Sequence, residues 1–419
     1  MIGADEALAI IQAQCSRLPS ERLPVSEALG RVLAQDLFSP VDLPPFDNTA
    51  MDGFALRCAS AVLPAGMAFS VAGEQAAGDG KQSADGTGTW EIMTGARLPE
   101  GLDAVIPVEQ VTVLERTADG RPVRIRLDAE VRPGQHIRRA GEDVARGALA
   151  LASGTWLGPQ HLLLLAGLGI AQVPVSVRPK IALLCTGREL VDDPSVPLEA
   201  GQIRNSNGPF LEARLRAGGA DVVARETIAD DRDAFDAALT RALDLGAQLV
   251  VSTGAVSMGR YDFVPPALTA LGATILFHNV AMRPGKPLLF ARLAGGQLYF
   301  GLPGNPVSSA VGLRFFIEPA LRSQLGLPEQ APWLLPLLRE VRKKPGFRFY
   351  QKAVMHLSTG GQLSIELLPG QESFKTLPMA AANAWAVLPA EAGILPAGAP
   401  IAVYPLGHES SGLPGVQHR

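Results

Sequence analysis

MRPGKPLLFARLAGGQLYFGLPGNPVSS, from Met282 to Ser309, decides the fold class. Two apolar strand-like runs are separated by a Gly-Gly turn, and a helix pattern begins at Asn305-Pro306, with Asn suited to the N-cap and Pro to the first helical position. The first turn, RPGKP, places Arg283 and Lys286 around Pro284-Gly285. The second, GLPGNPVSS, places Gly301, Gly304, Ser308 and Ser309 at the helix start. Positive side chains and free backbone N–H groups brought together in this way suit an oxyanion. Each piece also has a plainer reading, as helix capping for Asn305-Pro306 and as solvated turn charges for Arg283 and Lys286.

The same alternation extends upstream. KIALLCTG (Lys180–Gly187) is a buried strand pattern expected to lead into a helix, and helix Pro209–Ala217, strand Asp221–Arg225, helix Arg232–Leu245, strand Gln248–Ser252 and helix Phe263–Leu271 follow. The long helix Pro306–Leu325 ends the run. This predicts a central doubly wound α/β domain at 178–328 with a mainly parallel sheet. Ligands of such sheets bind beyond the carboxyl ends of the strands, where TGREL, STGAVSMG and GLPGNP all fall.

The flanks differ. Residues Ala4–Leu18 read as an amphipathic helix, a second helical run lies near Ser26–Ala34, and the Pro-rich SPVDLPPF follows. Short alternating runs such as TWEIM, AVIPVEQV and VRIRL predict a β-rich module at 46–139, inserted into an elongated N-terminal region formed by 1–45 and 140–177. A helix is expected at Pro159–Ala166. After Pro328 short strands return, predicting a small barrel-like β domain at 329–406 and a disordered tail at 407–419. The chain is therefore expected to be a multidomain α/β plus β protein, in keeping with its 419 residues.

Composition narrows the function. A net charge of −4 argues against a nucleic-acid surface, so any anion site is a local cluster. Three cysteines without a C-x-x-C pair argue against a disulfide framework and for a reducing compartment, and the scattered histidines have no metal-ligand spacing. No signal-like N-terminus and no apolar stretch of ~20 residues is visible, so a soluble, cytoplasmic protein without membrane contact is expected.

Several polar residues carry two readings each. Thr186-Gly-Arg-Glu189 fits a capping box, and Glu189 alternatively serves as a metal or ligand carboxylate. In STGAVSMGRYD (Ser252–Asp262), a glycine-rich loop without dinucleotide or P-loop signatures, Ser252, Thr253 and Ser257 suit phosphate oxygens. Asp262 suits either Mg²⁺ or a helix N-cap. Asp47, Asn48 and Asp52 form a polar loop that Asx turns alone would explain.

Taken together, FDNTAMDGFAL (46–56), IMTGA (92–96), IRRAGEDV (137–144), TGREL, STGAVSMG, RPGKP and GLPGNPVS occur in the order found in molybdopterin molybdotransferases. The chain resembles that family, to which the C-terminal domain of gephyrin is related, over nearly its whole length. The resemblance implies insertion of molybdenum from molybdate into adenylylated molybdopterin, with Mg²⁺-dependent release of AMP. It implies catalytic roles for Asp52, Glu189, Asp262 and Lys286. Substrate and oxyanion binding would fall to Thr94, Asp143, Ser257, Arg283, Lys286, Gly304, Ser308, Arg348 and Ser373, and Mg²⁺ to Glu189, Asp231 and Asp262. It further implies a homodimer whose site is completed across subunits, and contact with the adenylyltransferase that acts before it. The alternatives are that adenylyltransferase itself, or a divergent paralogue that binds the pterin without turnover or handles tungstate. The chain departs from the family pattern at Arg188, Ala255, Arg260-Tyr261, Arg283 and Glu372.

Overall fold

The structure is a computed structural model that describes residues 1–256 and 263–409 and the backbone of 417–418. Helix α1 (Ala4–Ala13) buries Ala4, Ala7 and Ile11 and carries Asp5 and Glu6 in its first turn, where the helix dipole favours acids. It stops short of the expected Leu18, whose N–H bonds the carbonyl of Gln324 instead.

From there the chain runs out and back along itself. β1 (Ser20–Pro24) pairs antiparallel with β8 (Gln172–Ser176). Further along, Leu37–Phe38 pairs with Leu149–Leu151, Leu43 bridges Val144, and Asn48–Thr49 pairs with Ile137–Arg138. These nested pairings form a stem, closed by α2 (Pro159–Gly167) and filled by Ala28, Leu33, Leu157, Leu165, Val173 and Val175. The helix expected near Ser26–Ala34 is absent. A 3-10 turn covers Val25–Glu27, Gly30 takes φ +71, and Val32 and Leu33 bridge Trp156 and Val175. Those backbone groups are claimed by partners more than a hundred residues away, which a local pattern cannot reveal.

At the end of the stem sits the β module. Its strands are β2 (Gly53–Leu56), β3 (Ala68–Gln75), β4 (Thr89–Ile92), β5 (Ala104–Pro107), β6 (Val111–Arg116) and β7 (Pro122–Leu127), in the order β5-β2-β4-β3-β7-β6. Alternate residues of β2 feed separate cores, Phe54 and Leu56 one and Ala55 the other.

The central domain contains β9 (Lys180–Thr186), α3 (Asn207–Ala217), β10 (Asp221–Ile228), α4 (Arg232–Asp244) and β11 (Leu249–Thr253). It continues through α5 (Val264–Ala270), β12 (Thr274–His278), β13 (Leu289–Arg292) and β14 (Leu298–Leu302). The sheet order is β10-β9-β11-β14-β13-β12, with β10, β9, β11 and β14 parallel and β13 antiparallel to both of its neighbours. Ile181 and Leu183 enter the core on one face, Ala182 and Leu184 that on the other, as a sheet covered by helices on both sides requires. Helix α6 (Pro306–Gly312) continues through a π turn (Leu313–Ile317) into α7 (Glu318–Leu325).

The last domain is formed by β15 (Trp333–Pro336), β16 (Arg348–Leu357), β17 (Leu363–Leu367), α8 (Leu377–Ala381), β18 (Ala384–Leu388) and β19 (Pro400–Pro405). The strand order β15-β19-β18-β16-β17 is closed by a bridge from Leu337 to Ile365, giving the expected barrel. Phe315 in the π turn fastens the barrel to the central domain, its ring 4.3 Å from Tyr350, 5.4 Å from Tyr404 and 6.0 Å from Trp385. The expectation of a disordered tail from 407 onward is corrected at two points. His408 is buried and Glu409 forms a forked pair with Arg214, while the backbone of Gln417–His418 pairs with β16.

Candidate functional site

The carboxyl ends of β9, β10, β11 and β14 open into a polar cavity of about 610 Å³. Glycines bring its walls close together. A Cβ on Gly254, at φ +88, would stand 2.6 Å from the Thr186 carbonyl oxygen, and one on Gly187 would stand 2.8 Å from the Glu189 carboxylate. The glycine of S-T-G is thus required by close approach to backbone as well as by turning, whereas at Gly187 the neighbour is the movable end of a side chain.

Glu189, Asp230, Asn205, Asn207, Asn305 and Gly304 are among the lining residues. No helix follows TGREL, so the capping box does not form. Leu190–Val191 instead pairs with Ile203–Arg204, and the Glu189 carbonyl accepts the Ile203 N–H. Asp231 does not line the cavity. Its carboxylate accepts the Ala234 N–H as the N-cap of α4, and the adjacent Asp230 lines the cavity in its place. Ser257 and Asp262 lie outside the described residues. Among the described residues no three acidic, histidine or cysteine side chains converge as a metal cluster.

The proposed oxyanion residues lie in segments that meet at the barrel edge. Met282–Arg283 pairs in parallel with Arg348–Phe349, and the Arg348 N–H bonds the Ala281 carbonyl. Gly285, at φ +99, packs against the Ser308 carbonyl, and Ser308 itself is buried. The Ser373 carbonyl accepts the Val307 N–H, so this first-turn donor of α6 is already used and is not open to a ligand. Asn305 occupies the N-cap position, but its side chain does not cap. Arg283 and Lys286 are exposed, and among the described residues no acid pairs with either. The Arg283 guanidinium lies over the Phe347 ring, 5.1 Å from its centre. Arg348 is forked onto Asp5, an acid the sequence reading did not single out.

Asp52 and Thr94 are brought together, the Asp52 carboxylate accepting the Thr94 N–H at 2.6 Å. That bond holds the Asp52 carboxyl below the usual carboxylate range. Asp143 sits in the stem, its N–H on the Leu43 carbonyl. Among the described residues, nothing N-terminal to Thr186 lines the cavity. Asp47 is held by Arg139 and the Ala140 N–H, a structural role.

Family models match along the chain in order. The MoeA N-terminal region (domain I and II) matches residues 2–169, a probable molybdopterin binding domain matches 182–323, and the MoeA C-terminal region (domain IV) matches 335–406. A molybdopterin molybdenumtransferase from Synechococcus elongatus is 40% identical over 96% of this chain and 99% of its own length. This chain belongs to the MoeA family. A Haemophilus influenzae molybdopterin molybdenumtransferase is 35% identical over 93% of the chain and 94% of its own length. The crystal structure of the molybdopterin biosynthesis MoeA protein from Pyrococcus horikoshii OT3 superposes with a TM-score of 0.81 at 27% identity, covering 96% of this chain and 99% of that one.

The departures from the MoeA pattern have local settings. Arg188 is exposed, with its N–H directed at Asp230. Ala255 takes φ +52, a region glycine occupies more easily. Glu372 is exposed and paired with Lys375 at 2.9 Å, so its charge is met locally. Sequence reasoning missed Asn205, Asn207, Asp230 and Phe374. The polar run RNSN (204–207), which leads into the first residue of α3, was an available signal for the two asparagines.

Proposed function

We propose that this chain is a molybdopterin molybdenumtransferase, moving molybdenum from molybdate into adenylylated molybdopterin and releasing AMP. One observation carries the reading. Arg283 and Lys286 stand without a carboxylate partner among the described residues, next to the strand that begins with Arg348, in a turn whose Gly285 approaches Ser308 of α6, the helix whose first residue Pro306 lines the polar cavity at the sheet's carboxyl edge. Such cations, with the Ser308 and Ser373 hydroxyls, offset the two charges of molybdate. The cavity takes the adenylylated substrate, and the dithiolene that receives the metal belongs to that substrate, so no cysteine of the chain is consumed.

Mg²⁺ fits the cavity's donor set. Glu189 and Asp230 supply the one or two carboxylates that this ion takes besides substrate phosphates, and Asp262 is the further candidate. When bound, the ion neutralises charge on the phosphoanhydride as it opens. Asp52, Thr94 and Asp143 act in the partner subunit of a homodimer, a reading supported by their place on the stem and β module, none of whose described residues lines the cavity. Three free cysteines and no helix long and apolar enough to cross a membrane, among the described residues, suit a reducing compartment such as the cytoplasm.

The test is AMP release from adenylylated molybdopterin with Mg²⁺ and increasing molybdate. Lys286→Ala is expected to lower kcat/KM for molybdate by about 10- to 100-fold, the size of a lost charged hydrogen bond, with the far-UV spectrum unchanged. A wild-type protein that releases no AMP at any molybdate concentration would sink the reading. ATP consumption with molybdopterin alone would favour the adenylyltransferase instead, which the full-length relatives do not favour.

A further inference from the structure

We propose that Asp5 is a built-in stand-in for the substrate oxyanion, occupying the guanidinium fork of Arg348 until an incoming dianion displaces it. The inference rests on the reading of Arg348 as an oxyanion ligand. Nη1 and Nη2 of Arg348 donate to Oδ1 and Oδ2 of Asp5, each at 2.6 Å. Two parallel charged bonds of this kind are also how an arginine holds a tetrahedral oxyanion.

The backbone places Asp5 there independently of the ion pair. The Ile2 N–H bonds the Asn279 carbonyl, the Ala281 N–H bonds the Ile2 carbonyl, and Ile2 forms a parallel bridge with Val280. These bonds tie the start of α1 to the strand that enters the Arg283–Lys286 turn. Ala7 and Ile11 anchor the helix in the central core. The Arg348 N–H reaches the same strand at Ala281. Asp5, the turn and Arg348 therefore come from three distant parts of the chain that are joined by main-chain bonds.

The pair is unequal, and the inequality favours exchange. The Asp5 side chain is 80% exposed and that of Arg348 28%. A released Asp5 is rehydrated with little cost, whereas Arg348, partly withdrawn from water, needs an anion. Among the described residues no other carboxylate pairs with it. Asp5 keeps the fork extended and charge-matched in the free protein. It also sets a threshold for entry. An anion with two charges, drawn additionally by Arg283 and Lys286, displaces a single carboxylate more readily than a singly charged anion does.

Stand-in and positioning roles give opposite signs. Equilibrium binding of molybdate to the full chain is measured by calorimetry for wild type, Asp5→Asn, Asp5→Ser, Arg348→Gln and the Asp5→Asn/Arg348→Gln double variant. The stand-in predicts molybdate Kd about 1.5- to fivefold lower in both Asp5 variants, the range of an exposed ion pair. Singly charged nitrate, which must displace the same carboxylate, should gain by a similar or smaller factor than molybdate. The gain should vanish when Arg348 is also replaced. If the Asp5 variants keep their melting temperature and bind molybdate as wild type does or more weakly, while Arg348→Gln weakens binding, the stand-in is overturned and Arg348 remains an oxyanion ligand. If Arg348→Gln binds as wild type does, the reading of the site itself falls.

Discussion

Asp230 and Asp231 stand side by side in sequence and serve different ends. The Asp231 carboxylate closes the first turn of α4 by accepting the Ala234 N–H at 2.9 Å. Asp230, one residue earlier, lines the cavity. From sequence either could cap the helix, because the choice depends on where β10 ends, and adjacent aspartates differ in direction rather than in chemistry. The structure separates their expected phenotypes. Asp231→Ala should cost about 1 kcal/mol of stability, the usual value of an N-cap, and leave AMP release per folded molecule near wild type. Asp230→Ala should leave the denaturation midpoint within about 0.5 kcal/mol and lower Mg²⁺-dependent AMP release at least about tenfold. Denaturant titrations and AMP assays on both variants check this, and the reverse pattern would return the metal role to Asp231.

Among elements, the strands and helices of the central domain were legible because each buried apolar run has its own period. β9 is buried along nearly its whole length, and α4 shows its apolar stripe at Phe235, Ala238, Leu239 and Ala242. Reading failed where a long-range partner decides the conformation, as at Val32 and Leu33, or where TGREL met a short parallel strand rather than a helix. The site divides in the same way. Ordered motifs pointed to Arg283, Lys286, Ser308, Arg348 and Ser373. Asp5 was invisible, because a first-turn acid on an amphipathic helix looks like ordinary dipole matching. The segment after β19 was also misjudged. His408 is buried, its ring set edge-on at 6.1 Å from Trp156 of the stem, and neither ring nitrogen has a hydrogen-bond partner among the described residues. Burial pushes its pKa down to about 3. In the unfolded chain it titrates near the ordinary ~6.5, so between those values the unfolded chain binds the extra proton. The His408 contribution is therefore complete above about pH 6.5 and declines as pH falls toward about 3. Thermal melts of wild type and His408→Leu across pH 7 to 4 should show a steeper fall in Tm for wild type, and parallel curves would refute the role.

At the scale of the whole molecule, the stem sets the β module at the end of a ladder of nested pairings, from Ser20–Pro24 with Gln172–Ser176 out to Asn48–Thr49 with Ile137–Arg138. Asp52 and Thr94 sit at the far end of that path, and the cavity takes no residue from it among the described residues. An arm built outward with polar residues at its tip is economical if the tip serves a second copy of the chain, since closed symmetric pairs make both copies' tips useful at once. This makes subunit mixing decisive. Asp52→Asn and Lys286→Ala should each be nearly inactive alone. Unfolded together, refolded at equal amounts and assayed for AMP release, they should recover about a quarter of wild-type activity. Statistical pairing makes about half the dimers mixed, and each mixed dimer joins an intact Asp52 from one subunit with an intact Lys286 from the other at one of its two sites. If each site is built within one chain, every chain in the mixture carries a lesion in its own site, and activity stays at the level of the single variants.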